Sequence, residues 1–157
     1  MRTVRGFTLI ELVVTLALLG VLAMLAAPMT EAAVQRSREQ ALREALREIR
    51  TAIDQYHLAV EQGRIPRKLG ESGYPPSLEV LVAGVPNALD PKGGSIYFLR
   101  RLPRDPLSRD VNAPAAATWG LRSYASAPDD PREGDDVFDV YSRAEGVGLD
   151  GIPYRQW

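Results

Sequence analysis

A single carboxylate, Glu11, stands in an otherwise apolar run near the start of the chain, over residues 7–28. An ionised carboxylate deep in hydrocarbon costs roughly 2.5–3.5 kcal/mol on insertion scales, so a lone Glu is retained only with a partner. Cutting the peptide bond between Gly6 and Phe7 would free an α-amino group, positive near neutral pH, four residues before Glu11. The spacing therefore predicts that Glu11 pairs with its own amine or, better, with the amine of a neighbouring subunit in a helical stack.

The element that positions Glu11 is predicted to be a helix of membrane-spanning length. Residues 7–28 suffice for roughly one bilayer crossing at a rise of about 1.5 Å per residue. Residues 1–6 hold two arginines and no acid, which favours a cytoplasmic position for this head. A cleaved secretory signal peptide needs small residues one and three positions before its cut, and Leu25 breaks that spacing ahead of Pro28. A plain uncleaved anchor leaves Glu11 unexplained.

Beyond Pro28 the apolar run gives way to an amphipathic pattern. Apolar residues recur at spacings of three and four, and charged residues occupy the other side. The apolar face comprises Leu42, Ala45, Leu46, Ile49, Ala52, Ile53, Tyr56 and Val60. One continuing helix is predicted from Phe7 to about Gln62, with a kink at Pro28 and a stop at Gly63. The same face could serve a coiled coil, but packing on its own sheet is favoured because the heptads are few and strand-like segments follow.

The rest of the chain, residues 63–157, is rich in proline and glycine and contains only short apolar segments. Ser77 is predicted as the N-cap of a short helix over residues 77–82. Residues 95–99 have the composition of a short strand or extended segment, and residues 121–126 and 137–142 have the pattern of strands. The last two are joined by a turn-rich connection and predict an antiparallel hairpin. The predicted fold class is α+β, with a long N-terminal α-helix packed on a small antiparallel β-sheet of about three strands.

Composition and charge argue against several classes of function. The net charge is −1, and the basic residues are balanced by acidic ones without leaving a net basic patch. No nucleic-acid partner is therefore expected. The chain has no cysteine, which excludes a disulfide framework, thiolate metal sites and cysteine nucleophiles. The single histidine, His57, follows Tyr56 on the amphipathic helix, and no motif places a serine nucleophile near it. His57 is predicted to be a surface or boundary residue, and the chain is not expected to be an enzyme.

The stretch Gly6-Phe7-Thr8-Leu9-Ile10-Glu11-Leu12 resembles the class III signal of type IV pilins and type II secretion pseudopilins. In that family a prepilin peptidase cuts after the glycine, the new N-terminal Phe is N-methylated, and the Glu neutralises the N-terminus of an adjacent subunit. The resemblance therefore implies that Gly6 precedes the cut, that Phe7 becomes the methylated terminus, and that Glu11 is the assembly carboxylate.

The second half of the chain is similar to the major, G-type pseudopilins of type II secretion. The similar segments occur in the family's order: Tyr74-Pro75, residues 78–82, Leu102-Pro103-Arg104-Asp105-Pro106, Trp119-Gly120 and residues 136–142. The resemblance implies a pilin-like fold and a structural subunit of the secretion pseudopilus, which supports protein export across the outer membrane. The implied partners are further copies in a helical filament, other pseudopilins, the prepilin peptidase and the inner-membrane secretion platform.

Four segments follow from the pattern and the resemblance together. They are a leader peptide at residues 1–6, a transmembrane and filament-core helix at 7–29, the amphipathic half of that helix at 30–62, and a globular domain at 63–157. The implied location is the inner membrane, with a single crossing and a periplasmic globular domain. Two other functions remain open: a type IV or minor pilin for adhesion or DNA uptake, and a membrane-anchored periplasmic binding or enzymatic domain.

One loop carries a candidate metal site. G-type pseudopilins hold a calcium ion in the loop after the last strand, and calcium takes several oxygen ligands. The corresponding loop here is residues 142–151, in which Ser142, Glu145 and Asp150 offer side-chain oxygens. The family's loop is usually longer and carries more aspartates, so a turn with solvated acids is an equal alternative to a Ca2+ site.

Overall fold

The computed structural model describes residues 7–157, with side chains for all of them except residues 24–30. The leader predicted at residues 1–6, with Gly6, lies outside the described residues. Pro28 is part of a described helix, but its side chain is not described, and the kink predicted there stays a prediction. The chain divides into two units, Met1–Ser37 and Arg38–Trp157.

Helix α1 spans Leu9–Glu61 and is the longest element of the described chain. It begins two residues later and ends one residue earlier than predicted. Leucine, alanine, glutamate and arginine are frequent in it, and these residues lose little side-chain freedom in a helix. Every side chain over residues 9–23 is exposed in the single chain. The prediction of one long helix is therefore confirmed.

Gly63 ends α1, as the sequence predicts. Its φ of +71° lies in the left-handed region, which glycine adopts without a Cβ penalty. The Gly63 amide donates to the Val60 carbonyl at 2.9 Å, and the Arg64 amide donates to the Ala59 carbonyl at 2.9 Å. These two bonds form a Schellman motif, which satisfies carbonyl groups that the end of a helix otherwise leaves unpaired.

Replacing Gly63 with Ala is expected to destabilise the fold by about 1–2 kcal/mol, because an L side chain at this φ crowds its own backbone. Among the described residues, no neighbouring atom lies within 4 Å of the added Cβ, so the penalty is conformational. Thermal unfolding of the full chain in detergent measures the effect. Gly63→Asn is the matched control, because Asn tolerates the left-handed region better. Equal melting temperatures for the two variants would contradict this account.

The hydrophobic core of the second unit lies against one face of α1. That face comprises the buried residues Leu42, Ala45, Leu46, Ile49, Ala52, Ile53, Tyr56 and Ala59. Later segments contribute Ile65, Leu78, Leu81, Leu99, Trp119, Val137, Val140 and Tyr154. Seven of the eight residues predicted for the apolar face are buried, and the eighth, Val60, is partly buried against the core. Packing of this face on its own domain, rather than in a coiled coil, is therefore confirmed.

Two antiparallel pairs of strands follow α1. Strand β1, Val85–Pro86, pairs with β2, Ser95–Ile96. Strand β3, Trp119–Arg122, pairs with β4, Asp139–Ser142. The hairpin predicted from the last two strand segments is confirmed. Its first strand begins two residues earlier than predicted and ends before Ser123, whose amide donates to the turn instead of to β4.

Close packing within the hairpin explains the glycine in β3. Gly120 pairs with Tyr141, and a Cβ on Gly120 would lie 2.2 Å from the Tyr141 ring. Trp119 is 0% exposed, and its Nε1 donates to the Pro103 carbonyl at 2.9 Å. The Trp-Gly pair is therefore a core residue followed by the small residue that the partner strand requires.

The prediction of a single sheet of about three strands is wrong, because the described strands form two sheets of two strands each. The segment at residues 95–99 is a strand only at Ser95–Ile96. The Phe98 and Leu99 amides both donate to the Leu81 carbonyl, so they are not available to a neighbouring strand. The sequence does not predict β1, since half of this two-residue strand is a proline without an N–H to donate.

The short helix after residue 77 differs from its prediction in length and capping. Helix α2 spans Val80–Ala83, and Glu79 takes the N-cap position without a side-chain hydrogen bond. The predicted cap at Ser77 is therefore wrong. Leu78 and Leu81 are both buried, and a helix of four residues depends on such packing because it is too short to be stable alone.

Candidate functional site

Thr8 caps the first turn of α1, a role that was not predicted from the sequence. Its Oγ1 accepts the Glu11 amide N–H at 3.4 Å, and its carbonyl accepts the Leu12 amide N–H at 3.2 Å. A Thr followed three residues later by Glu is the sequence signature of a capping box, and that signal identifies this helix start. The same spacing therefore begins the helix and places Glu11 in its first turn.

The Glu11 carboxylate is exposed, and among residues 7–157 it has no hydrogen-bond or ion-pair partner. Its charge is compatible with the positive end of the helix dipole. Phe7 lies just before the helix with its side chain 81% exposed. The bond predicted to be cut is not seen, because Gly6 lies outside the described residues. A positive group brought by another chain would thus reach an accessible carboxylate.

Large apolar side chains surround Glu11 and remain uncovered in the single chain. Those more than half exposed are Phe7, Leu9, Ile10, Leu12, Val13, Leu16, Leu18, Leu19, Val21 and Leu22. Successive helix residues are turned by about 100°, so these side chains cover every side of the helix. Within the part of the chain that has described side chains, no helix is long and apolar enough to cross a membrane. An apolar surface on all sides of a helix requires cover by other apolar groups.

The three residues of the predicted calcium loop face different partners. Ser142 is buried, and its hydroxyl donates to Asp105 Oδ2 at 2.5 Å. Asp150 Oδ2 accepts from Arg43 Nη2 at 2.7 Å, while Glu145 is exposed. The three side chains therefore do not form one oxygen shell in this arrangement. Among the described residues, no three His, Cys, Asp or Glu side chains are grouped to hold a metal ion, and calcium binding stays a prediction.

Asp105 is a buried carboxylate with a structural role. Its Oδ1 accepts the Leu107 amide N–H at 2.8 Å, and its own amide donates to Thr118 Oγ1 at 3.1 Å. Its remaining oxygen accepts the Ser142 hydroxyl, which lies at the end of β4. One side chain thus joins the proline-rich segment to the hairpin, and this explains why an acid is needed before Pro106.

Two charged residues of α1 contact the end of the domain, and neither contact was predicted from the sequence. Glu39 is only 5% exposed, and its Oε1 accepts the Leu149 amide N–H at 2.9 Å and the Tyr154 hydroxyl at 3.0 Å. The Arg43 guanidinium lies 4.3 Å from the centroid of the Trp157 ring. The charge pattern of the helix alone predicts that both side chains are solvated. It cannot indicate their partners, which lie more than 100 residues further along the chain.

His57 is partly buried between core and surface, as the sequence predicts, and packs in an aromatic cluster. Its ring stacks on Tyr74 with the centroids 4.2 Å apart and the planes at 5°. Its Nε2 lies 3.4 Å from Glu61 Oε1. The Tyr74 ring also meets Phe138 edge-on at 4.9 Å. Burial raises the pKa of Tyr74 above its usual value, and the Asp54 carboxylate raises it further. These contacts describe packing rather than a catalytic base with its nucleophile.

Comparisons with known proteins cover both the start of the chain and its domain. Residues 1–27 match the family model of the prokaryotic N-terminal methylation motif. A type II secretion system core protein G of Klebsiella pneumoniae is 32% identical over 146 residues, which cover 87% of this chain and 94% of the relative. The protein of the same name from Dickeya chrysanthemi is 26% identical over 155 residues, covering 96% and 94%. No solved structure matches the chain.

A long helix that begins with the methylation motif and is followed by a small α+β domain defines the chain as a pilin-like protein. The similarity to the Klebsiella pneumoniae protein extends over most of both chains. The chain belongs to the family of the type II secretion system core protein G. The resemblance of the N-terminal stretch to the methylation motif, and of the chain as a whole to the G-type pseudopilins, is confirmed.

Proposed function

We propose that the chain is made as a precursor and that a prepilin peptidase cuts it between Gly6 and Phe7, after which Phe7 is N-methylated. The match of residues 1–27 to the N-terminal methylation motif supports this proposal. The position of Phe7 supports it too, because it is exposed and precedes α1, and a peptidase must reach the bond that it cuts.

Assembly of the processed chain depends on Glu11. The amine freed at Phe7 of one subunit pairs with Glu11 of its neighbour, while the apolar helices bundle in the core of a filament. One observation carries this proposal: the Glu11 carboxylate is accessible, and without a partner among the described residues, on a helix whose apolar side chains are exposed. Polymerisation covers the apolar surface and supplies the counter-charge in the same step, so the two effects stabilise one arrangement.

As a pseudopilin of type II secretion, the chain is an envelope-associated structural protein that assembles with other pseudopilins. Before assembly its proposed location is the inner membrane, with one crossing by residues 7–29 and a periplasmic globular domain. Copies of the chain then polymerise into a helical filament on the inner-membrane secretion platform. Growth of this filament supports protein export across the outer membrane, and the subunit itself catalyses no reaction in this mechanism.

Intact mass spectrometry of the protein from its native membrane tests the processing step. The expected mass lacks residues 1–6 and carries one additional methyl group. A Gly6→Val variant is the control and is expected to keep its full length, because a bulky residue then precedes the cut. A full-length, unmethylated mass for the unmodified chain would contradict the proposal and would favour a membrane-anchored binding or enzymatic domain.

A further inference from the structure

Three charged residues of α1 reach the segment that follows β4. This segment, residues 143–157, is named the C-terminal loop, and Glu39, Arg43 and Arg50 are named the anchor residues. The anchor residues are spaced by four and seven positions, which places them on the same side of a helix. An acid and two bases therefore face one loop from one rigid element.

Glu39 is the buried member of the anchor residues. A carboxylate removed from water is costly unless hydrogen bonds replace its hydration. The Leu149 amide and the Tyr154 hydroxyl supply two such bonds to the same oxygen, at 2.9 and 3.0 Å. Hydrogen bonds to an ionised group are stronger than neutral ones, so Glu39 orders two separate points of the C-terminal loop.

Arg43 provides a positive charge to the same loop. Its Nη2 donates to Asp150 Oδ2 at 2.7 Å, and the other carboxylate oxygen of Asp150 accepts the Ile152 amide N–H at 3.0 Å. The guanidinium also lies over the Trp157 ring, where a cation is attracted by the face of the aromatic system. Both oxygens of the loop's aspartate are therefore engaged by protein donors.

Arg50 joins the beginning of the hairpin's last strand to the far end of the loop. Its Nε donates to Asp139 Oδ1 at 2.8 Å. Its Nη2 donates to the Val140 carbonyl at 3.0 Å and to the main-chain oxygen of Trp157 at 2.7 Å. The planar guanidinium thus binds three oxygens in fixed directions, a task for which lysine lacks the geometry.

We propose that Glu39, Arg43 and Arg50 close the C-terminal loop in place of a calcium ion, so that this pseudopilin folds and assembles independently of calcium. The folding part stands on the contacts of the second unit alone. The assembly part rests on the proposed function as a filament subunit.

The engagement of the predicted ligand oxygens explains why a calcium ion would bind this loop only weakly. Calcium takes six to eight oxygens, several of them from carboxylates. The Asp150 carboxylate is already neutralised by Arg43, and the Ser142 hydroxyl donates its proton to Asp105 while its oxygen accepts the Ala144 amide N–H. Of the three predicted ligands, this leaves the exposed Glu145 as the carboxylate open to a cation.

Thermal unfolding of the full chain in detergent, in millimolar calcium or in the chelator EGTA, tests the proposal directly. A ligand that binds only the folded state raises the melting temperature, by several degrees at about a hundred times its Kd. We expect the same melting temperature in both solutions and the same hydrogen exchange of the amides in residues 146–157. A melting temperature that rises in calcium and falls again in EGTA would overturn the proposal.

Substitution of Arg43 tests the anchor role itself. Arg43→Ala is expected to lower the melting temperature by a few degrees and to speed hydrogen exchange at residues 146–157 at least tenfold. Both changes should be the same with and without calcium. The matched control is Arg47→Ala, one turn further along α1, where the arginine is also exposed. Equal exchange in the loop for the two variants would show that Arg43 does not hold it.

Filament assembly in EGTA separates this inference from the proposed function. We expect the wild-type chain to give equal filament yield with and without the chelator. Assembly that requires added calcium would overturn the inference and leave the proposed function intact. Absence of filaments in both solutions would instead contradict the proposed function, and calcium-independent melting would still support the anchor residues.

Discussion

Cells that carry Glu11→Ala are expected to process the precursor almost normally and to lose most of their filaments and their secretion. In the proposed filament, the substitution leaves the processed N-terminal amine in the apolar core without its counter-charge. Breaking a buried ion pair by removing one partner costs roughly 3–5 kcal/mol, which reduces an association constant at least a hundredfold. The apolar surface around the residue is unchanged, so the subunit should still reach the membrane.

Two measurements on the same cells separate processing from assembly. Intact mass gives the processed fraction, and the mass of sheared filaments per cell gives the yield. Glu31→Ala is the matched control, because Glu31 is also an exposed glutamate on α1. Glu11→Gln keeps the shape and removes the charge, and it should resemble Glu11→Ala. Wild-type filament yield in either Glu11 variant would overturn the ion-pair mechanism.

Truncation of Trp119 to Ala should produce the largest loss of stability in the globular domain. The side chain is fully buried beside the apolar face of α1, and its Nε1 is bonded to the Pro103 carbonyl. Replacing a core Phe or Trp with Ala lowers the free energy of unfolding by about 3–5 kcal/mol, because the change removes buried apolar area and leaves a cavity. The Pro103 carbonyl additionally loses its donor. For a domain of this size the melting temperature should fall by roughly 10 °C or more.

Trp157→Ala provides the comparison for this prediction. Trp157 is only partly buried at the edge of the core, so its truncation should lower the melting temperature by a smaller amount. Unfolding of the full chain in detergent, followed by circular dichroism, measures both variants. Trp119→Phe refills most of the cavity and should recover part of the loss. A Trp119→Ala melting temperature within a degree or two of that of Trp157→Ala would contradict the assigned core.

The elements that sequence predicts best are those with a long periodic pattern. Helix α1 follows from an apolar run that continues into spacings of three and four, and each of its predicted core residues from Leu42 to Tyr56 is buried. Its end follows from Gly63, because left-handed backbone favours one residue type. The hairpin follows from two alternating segments separated by turn residues.

The features that sequence fails to predict depend on partners far apart in the chain. Residues 95–99 have strand composition, yet the Leu81 carbonyl takes the amides of Phe98 and Leu99. Glu39 resembles any solvated helix acid until Tyr154 folds over it. Thr8 is different, because its spacing to Glu11 is a local signal that could be recognised without a structure.

The reach of the anchor residues determines when the domain can finish folding. Glu39 and Tyr154 are 115 positions apart, and Arg50 and Trp157 are 107 apart. Contacts of such separation form late and slow the folding of a chain, since a long loop must close before they stabilise anything. During synthesis Glu39 on α1 therefore cannot make these two hydrogen bonds until Leu149 and Tyr154 have emerged. A chain interrupted before Leu149 lacks both of those hydrogen bonds, so this loop can pack on α1 only in chains that extend at least to Tyr154.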